Sequence, residues 1–283
     1  MLNIEKHAND IVKEGFTTIT MPPGMLRYVD RIVTEYDRID AEIKKTFSFQ
    51  SKDDGFLSFG HEYSESPDRL DLCERFCYWL ANSAAHQESS FVHSEFYQAV
   101  ISYEKLCDEI GQRIMNAICA QYGKKPLPSG RESSYVQLCV YSETYWKPDR
   151  KFMQDPHEDG HFLTMLKPTS DGLAFIFGDE IRPIELAADK MIIFSGSLLT
   201  ELTDGEISAT RHAALTPKVP TMRKSLMYFV NPNMDQPIAS LTKRRPIDFR
   251  HLANERHISF GNPPLIQPES NELKEMSGKA SNQ

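Results

Sequence analysis

The sequence predicts a mainly β domain with a helical layer packed against it, and two observations carry this prediction. From residue 135 onwards, short apolar or alternating runs are separated by turn-rich segments, which is typical of an antiparallel sandwich or barrel. Before residue 130, apolar residues recur at helical spacing instead. With 283 residues, of which 40% are hydrophobic, the chain can bury a sizeable core.

The first half of the chain is predicted to be mostly helical. Residues 16–21 form a short β-branched run that predicts a strand, and one helix is predicted over 26–47. Apolar residues between positions 48 and 90 show less regular spacing. A stronger apolar stripe over 96–118 predicts a second helix, which ends near Gly123. We expect both helices to support a sheet.

Six short runs in the second half predict strands. They are YVQLCVY at 135–141, FLTML at 162–166, LAFIF at 173–177, KMIIF at 190–194, HAAL at 212–215 and SLMYFV at 225–230. No internal repeat is present, and no linker composition separates the helical part from these strands. The sequence therefore predicts a single domain over the whole chain, 1–283.

Charge and cysteine usage exclude several functions. The net charge is -8 with acidic and basic residues interleaved, so no basic stripe supports binding of nucleic acid or of an anionic membrane surface. No apolar run approaches the roughly 20 residues that span a bilayer, and the N-terminus lacks a signal-peptide pattern. The five cysteines form no CxxC pair, which favours reduced core residues. We expect a cytoplasmic protein.

A metal site is predicted around residue 157. His157 and Asp159 are two positions apart, so in an extended segment both side chains point to the same face. This pair alone is weak support, but His212 opens a later predicted strand. Two imidazoles and one carboxylate on one face of an octahedron suit Fe(II) and leave three positions for other ligands.

A carboxylate-binding pair follows the metal residues in the sequence. Arg223 and Ser225 open another predicted strand and are again two positions apart, so they share a face. A guanidinium and a hydroxyl together match the geometry of a carboxylate. The order of the motifs is therefore HxD, distal His and then the Arg/Ser pair, all on predicted strands.

With these motifs the chain resembles the Fe(II)/2-oxoglutarate-dependent oxygenase superfamily, in its isopenicillin N synthase-like branch. The resemblance extends over residues 10–262 and rests on HxD…H…RxS. Further matches are Leu163, Thr164 and Leu166 after HxD, the turn Thr203-Asp204-Gly205, and Tyr141 on the preceding strand. The resemblance implies a double-stranded β-helix (jelly roll) core flanked by N-terminal helices.

The same resemblance implies roles for these residues. His157, Asp159 and His212 would hold Fe(II), and Arg223, Ser225 and Tyr141 would hold the cosubstrate 2-oxoglutarate. No catalytic side chain is expected beyond the metal ligands, and O2 is the second cosubstrate.

The implied activity is an oxidoreductase that oxidises an unactivated C–H bond by hydroxylation, desaturation or cyclisation. The substrate would be a small molecule, such as an amino acid or a biosynthetic natural-product intermediate. Two alternatives stay open. One is a 2-oxoglutarate-independent Fe(II) oxidase of the isopenicillin N synthase type, in which the Arg/Ser pair binds a substrate carboxylate. The other is a sensing protein that binds ligand without turnover.

For other residues near these motifs, the sequence favours structural roles or leaves two roles open. His161 could face the same cavity, but a structural role is favoured. Arg211 could contact substrate or solvent. Phe175, Phe177 and Tyr228 are predicted core residues, and His257 is predicted to be structural or exposed.

Four segments make up the predicted domain. They are an N-terminal helical part (1–130), the jelly-roll core with the metal site (131–235), a C-terminal helix (236–262) and a flexible tail (263–283).

Overall fold

Two antiparallel sheets packed on each other form the centre of the computed structural model, which describes residues 2–266. Six α-helices surround them. They are α1 (Ile4–Glu14), α2 (Pro23–Tyr36), α3 (Ala41–Thr46), α4 (Glu95–Gln121), α5 (Ser197–Leu202) and α6 (Phe249–Ser259). None of these helices is long and apolar enough to cross a membrane. Most of the tail predicted over 263–283 lies outside the described residues.

The larger sheet has eight strands and the smaller sheet has four. In chain order the strands are β1 (Phe16–Thr20), β2 (Ser48–Phe49), β3 (Asp54–Leu57), β4 (Glu74–Trp79), β5 (Tyr135–Tyr141), β6 (Phe152–His157), β7 (Leu163–Pro168), β8 (Leu173–Phe177), β9 (Glu180–Pro183), β10 (Lys190–Ser195), β11 (His212–Leu215), β12 (Arg223–Val230), β13 (Ile238–Ala239) and β14 (Pro246–Ile247). The large sheet has the order β1-β10-β7-β12-β5-β4-β3-β2, and the small sheet β6-β11-β8-β9. Strands β13 and β14 pair separately.

Alternating side chains of the large sheet build two apolar layers. Along β7, Met165 packs with the helices, whereas Leu166 faces the small sheet. Phe194 of β10 contacts Phe175 of β8 across the two sheets, with ring centroids 5.6 Å apart. The predicted mainly β fold with a jelly-roll core and a helical layer is confirmed.

Helix α4 is the main support of the large sheet. It begins after Ser94, whose side chain accepts a hydrogen bond from the Tyr97 amide and caps the helix. Its glycine, Gly111, lets the helix approach β12, because a Cβ there would lie 2.7 Å from Val230. The helix predicted over 96–118 is confirmed, and all five cysteines are buried and free, as expected.

Two predicted helices differ from the structure, and two regions contain elements that were not predicted. The helix predicted over 236–262 is limited to α6, because β13 and β14 pair before it. The single helix predicted over 26–47 is wrong, because the chain breaks after α2 and Asp40 caps a separate α3 by accepting from the Ile43 amide at 2.8 Å. Residues 48–90 contain β2, β3 and β4, which join the same sheet as the later strands. Helix α1 was not predicted, because only three of its residues are buried.

Candidate metal centre

Two neighbouring strands of the small sheet bring the three predicted metal ligands together. His157 ends β6, His212 begins β11, and the two residues pair directly in the antiparallel register. Asp159 follows β6 by two residues. Its carboxylate oxygens lie 3.5 Å from His157 Nε2 and 3.6 Å from His212 Nε2. One donor atom from each residue lies within 4.8 Å of the others, so the three can share one ion.

The hydrogen bonds of both imidazoles prepare them for a metal. His157 Nδ1 donates to the Asp155 carbonyl at 2.8 Å, and His212 Nδ1 donates to the Thr210 carbonyl at 3.2 Å. A carbonyl oxygen can only accept, so each Nδ1 carries the proton and each Nε2 presents a lone pair towards Asp159. Outer partners of this kind fix the tautomer of metal-binding histidines. The donor set fits Fe(II).

Burial and mutual charge set the protonation of the three ligands. For His157, burial acts to lower the pKa, but the adjacent Asp159 raises it above its usual value. Burial acts to raise the pKa of Asp159, but the adjacent His212 and His157 hold that pKa well below its usual range. Burial lowers the pKa of His212 to about 4, which favours the neutral imidazole. The site therefore favours one carboxylate with a neutral His212, the forms in which these side chains bind metals.

Contacts around Asp159 fix the loop that carries it. Thr164 donates its hydroxyl to Asp159 Oδ2 at 2.5 Å, and the Ser197 amide donates to the Asp159 carbonyl at 2.8 Å. Gly196 lies directly against this loop, because a Cβ there would lie 2.3 Å from the His161 carbonyl oxygen and 2.8 Å from that of Asp159. The turn before α5 thus buttresses the metal site.

We expect Gly196→Ala to weaken metal binding without touching a ligand. The added methyl group must displace the backbone that carries Asp159, which should cost about 1–3 kcal/mol of unfolding free energy. Metal affinity should fall roughly 10- to 100-fold, as it does when an outer-shell support is lost. Denaturant unfolding and metal titration measure both effects. Gly24→Ala is the control, since a Cβ there meets nothing within 4 Å. Unchanged metal affinity in Gly196→Ala would contradict this account.

Strand β12 places the predicted carboxylate pair on one face beside the metal ligands. Arg223 and Ser225 are both buried. Arg223 Nε and Ser225 Oγ have no hydrogen-bond partner among residues 2–266. A buried donor without a partner costs about 1–3 kcal/mol, which a bound carboxylate would recover. The guanidinium lies 5.0 Å from the centre of the Tyr141 ring, its neighbour in the sheet register.

One cavity contains both groups of residues. The three metal ligands, the Arg/Ser pair and Tyr141 all line it, and Leu166, Leu173 and Met227 add apolar surface. Tyr141 donates its hydroxyl to Gln154 Oε1 at 2.8 Å, which fixes the ring beside Arg223. The structure therefore brings together all six predicted site residues.

The remaining candidates divide between the cavity, the core and the surface. His161 lines the cavity, is buried, and donates from Nδ1 to Asn231 Oδ1 at 2.9 Å. Arg211 is exposed and donates to the Pro156 carbonyl at 3.3 Å. Phe175 and Tyr228 are core residues as predicted. The same prediction was wrong for Phe177, which is 42% exposed at the end of β8 and packs under Arg182.

A further polar part of the cavity was missed by the sequence reasoning. It is lined by Glu62 and Asp71 from the segment before β4, and by His257 and Asn262 at the end of α6. The Asn262 amide donates to Glu62 Oε1 at 2.6 Å, so residues 200 positions apart meet here. No motif in the sequence links these two segments.

Comparisons with known proteins agree with this architecture. The model of the 2OG-Fe(II) oxygenase superfamily matches residues 133–232, which include all six site residues. Gibberellin 3-beta-dioxygenase 3 of Arabidopsis thaliana is 25% identical over 194 residues, 59% of this chain and 53% of that protein. The match thus spans about half the length of this curated relative.

Solved structures are similar over most of the chain. Neurospora crassa T7H in complex with alpha-KG has a TM-score of 0.72 at 16% identity, with 89% of each chain covered. JOX2 in complex with 2OG, Fe and JA has a TM-score of 0.72 at 17% identity, covering 96% of this chain and 84% of JOX2. At these identities the likeness concerns the fold.

Proposed function

We propose that this chain is a non-haem Fe(II)- and 2-oxoglutarate-dependent dioxygenase, in keeping with the match of residues 133–232 to the 2OG-Fe(II) oxygenase superfamily. One observation carries the proposal: a buried His/Asp/His set and a buried, unpartnered Arg/Ser pair line the same cavity. The first set suits Fe(II), and the second suits the distal carboxylate of a keto diacid.

His157, Asp159 and His212 are the residues that would hold the iron. Bound Fe(II) would supply the dioxygen chemistry that no protein side chain provides. The protein's own contribution is orientation. The Asp155 and Thr210 carbonyls fix the two imidazoles, and Thr164 fixes the carboxylate. All three ligands come from one face of the site, which leaves the cavity side free for substrates.

Arg223, Ser225 and Tyr141 would orient 2-oxoglutarate. The guanidinium provides charge and a fork of N–H donors, and the Ser225 hydroxyl adds another donor on the same strand face. Tyr141 covers the guanidinium with its ring, and this apolar cover limits access of water to the ion pair. Leu166, Leu173 and Met227 suit the methylene groups between the two acid ends.

The substrate would be a small molecule that enters the same cavity. The outcome could be hydroxylation, desaturation or cyclisation, because each begins with oxidation of a C–H bond. No protein group in the cavity has to act as a general acid or base for this chemistry. We therefore assign no catalytic side chain beyond the metal ligands.

An anaerobic titration of the Fe(II)-loaded protein with 2-oxoglutarate tests the proposal. Chelation of iron by the keto acid should give a saturable metal-to-ligand charge-transfer band in the visible region. Succinate, which lacks the keto group but keeps both carboxylates, is the control and should give no band. An iron-loaded protein that shows no band with 2-oxoglutarate would exclude its use as cosubstrate and favour an oxidase that needs none.

A further inference from the structure

The missed polar part of the cavity has more buried carboxyl groups than buried cations. We call Glu62, Asp71, His257 and Asn262 the acceptor wall. Arg75 pairs with Glu62 Oε2 at 2.6 Å through Nε and with Asp71 Oδ2 at 2.7 Å through Nη2. This arginine is fully buried and does not line the cavity, whereas both carboxylates do. One buried cation therefore serves two carboxylates, and burial raises the pKa of Glu62 although Arg75 opposes this; the exposed Arg256 of α6 also lines the cavity.

One buried acceptor of the wall, Asn262 Oδ1, has no hydrogen-bond donor among the described residues. The Asn262 amide donates to the Glu62 carboxylate, so its Oδ1 points elsewhere, and that oxygen is unpartnered. His257 donates from Nδ1 to the Pro263 carbonyl at 2.6 Å, and its Nε2 lies 3.5 Å from Oδ2 of the buried Asp53. Only 7% of Asn262 and 4% of His257 is exposed.

Aromatic rings complete this part of the cavity. His257 lies beside Tyr135, with ring centroids 6.3 Å apart, at the opposite end of β5 from Tyr141. Six residue steps along a strand span about 20 Å, which separates His257 from the Arg223 clamp. Asp71 lies nearer the clamp, because Gln154 donates to Asp71 Oδ2 at 3.2 Å and accepts from Tyr141 at 2.8 Å. Phe229 lies 4.8 Å from Tyr135, and Phe260 lies 5.7 Å from the metal ligand His157. Rings next to an unpartnered acceptor suit a cationic group on an apolar body.

We propose that the acceptor wall binds a protonated amine of the substrate, so that the enzyme acts on amine-bearing small molecules. This rests on the proposed oxygenase function. An ammonium group adds positive charge beside the Glu62 carboxylate, which shares the Arg75 guanidinium with Asp71, and offers three donors, one of which satisfies Asn262 Oδ1. A carboxylate at the same place would meet like charge. Arg256 is exposed on α6 and also lines the cavity. A substrate that carried a carboxylate could pair with it, and the Arg256→Gln variant tests this alternative.

Direct binding of three matched probes tests the charge preference without relying on turnover. Benzylamine, benzyl alcohol and benzoate share one ring and differ in charge at the substituent. Calorimetry uses the Fe(II)-loaded protein with 2-oxoglutarate under anaerobic conditions at pH 7. We expect benzylamine to bind at least tenfold more tightly than benzyl alcohol, and benzoate to bind most weakly. Equal binding of the amine and the alcohol, or no binding of any probe, would overturn the proposal.

Two variants test whether Glu62 and Asn262 cause the tighter binding of the amine. Glu62→Gln keeps an acceptor for the Asn262 amide but removes the charge, and we expect the amine-over-alcohol ratio to fall about tenfold. Asn262→Leu leaves the Glu62–Arg75 pair in place, and it should weaken the binding of benzylamine at least threefold. This variant provides the test if Glu62→Gln does not fold. Arg256→Gln should change neither result. An unchanged ratio in folded Glu62→Gln, or tight benzoate binding that Arg256→Gln abolishes, would contradict the assignment.

The charge-transfer band of the same samples separates this inference from the proposed function. A band with no amine preference rejects the acceptor wall as an amine site and leaves the oxygenase function standing. Amine preference without a band rejects the use of 2-oxoglutarate and leaves the amine site standing.

Discussion

Replacing His212 by Ala should abolish stoichiometric iron binding and, with it, all oxidation. His212 is one of three buried ligands, and its Nε2 is directed at Asp159 by a hydrogen bond from Nδ1 to the Thr210 carbonyl. Without it only His157 and Asp159 remain, and both lie within three residues of each other on one segment. Loss of an inner ligand should exceed the roughly 10- to 100-fold effect of losing an outer partner. Iron content after dialysis and an anaerobic titration measure the affinity.

The neighbouring Arg211 provides a matched control for His212. It is exposed, and its one described hydrogen bond runs to the Pro156 carbonyl at 3.3 Å, so Arg211→Ala should bind iron normally. His212→Ala should keep its fold, because the register of β11 with β6 and β8 does not depend on the imidazole. Circular dichroism checks this. A folded His212→Ala variant that retains full iron affinity would remove His212 from the metal site.

The elements that could be predicted from the sequence are those whose apolar residues form a run, alternate or recur at helical spacing. Strands β5 and β11 and helix α4 have strong apolar patterns, and the predicted positions agree closely with the structure. Strand β4 was missed because the charged residues Glu74 and Arg75 open it, which leaves a short apolar run of four residues. Helix α1 was missed because it is short and mostly polar, although Asn3 and Gly15 mark its ends.

The candidate site divides in the same way. His157 and Asp159 are close in the sequence and share a spacing rule, and Arg223 and Ser225 share another, so short-range patterns were sufficient. The contact between Glu62 and Asn262 joins positions 200 residues apart. It depends on how α6 and the residues after it pack against the segment before β4, and no local period encodes that. The HxD and RxS motifs can thus be recognised from spacing, whereas the contact between these distant segments required the three-dimensional structure.

Replacing Arg223 by Ala should raise the 2-oxoglutarate concentration needed for half-saturation by about 100-fold or more. Removing one partner of a buried, hydrogen-bonded charge pair costs roughly 2–5 kcal/mol, and each 1.4 kcal/mol is a factor of ten. Iron binding should be unchanged, because Arg223 is not a metal ligand. Arg223→Lys should give an intermediate value, since it keeps the charge and loses the fork of donors. The charge-transfer band, followed at increasing 2-oxoglutarate, measures all three proteins.

Lys224 separates a loss of cosubstrate contact from a general disturbance of β12. It lies between Arg223 and Ser225 and points to the other face of the strand, where its Nζ donates to Asp37 at 2.5 Å and to the Val33 carbonyl at 3.0 Å. Lys224→Gln should therefore lower stability and leave the 2-oxoglutarate affinity unchanged. If Lys224→Gln and Arg223→Ala weakened cosubstrate binding equally, the effect would come from strand disorder. A selective loss in Arg223→Ala would instead identify its guanidinium as the group that binds the distal carboxylate.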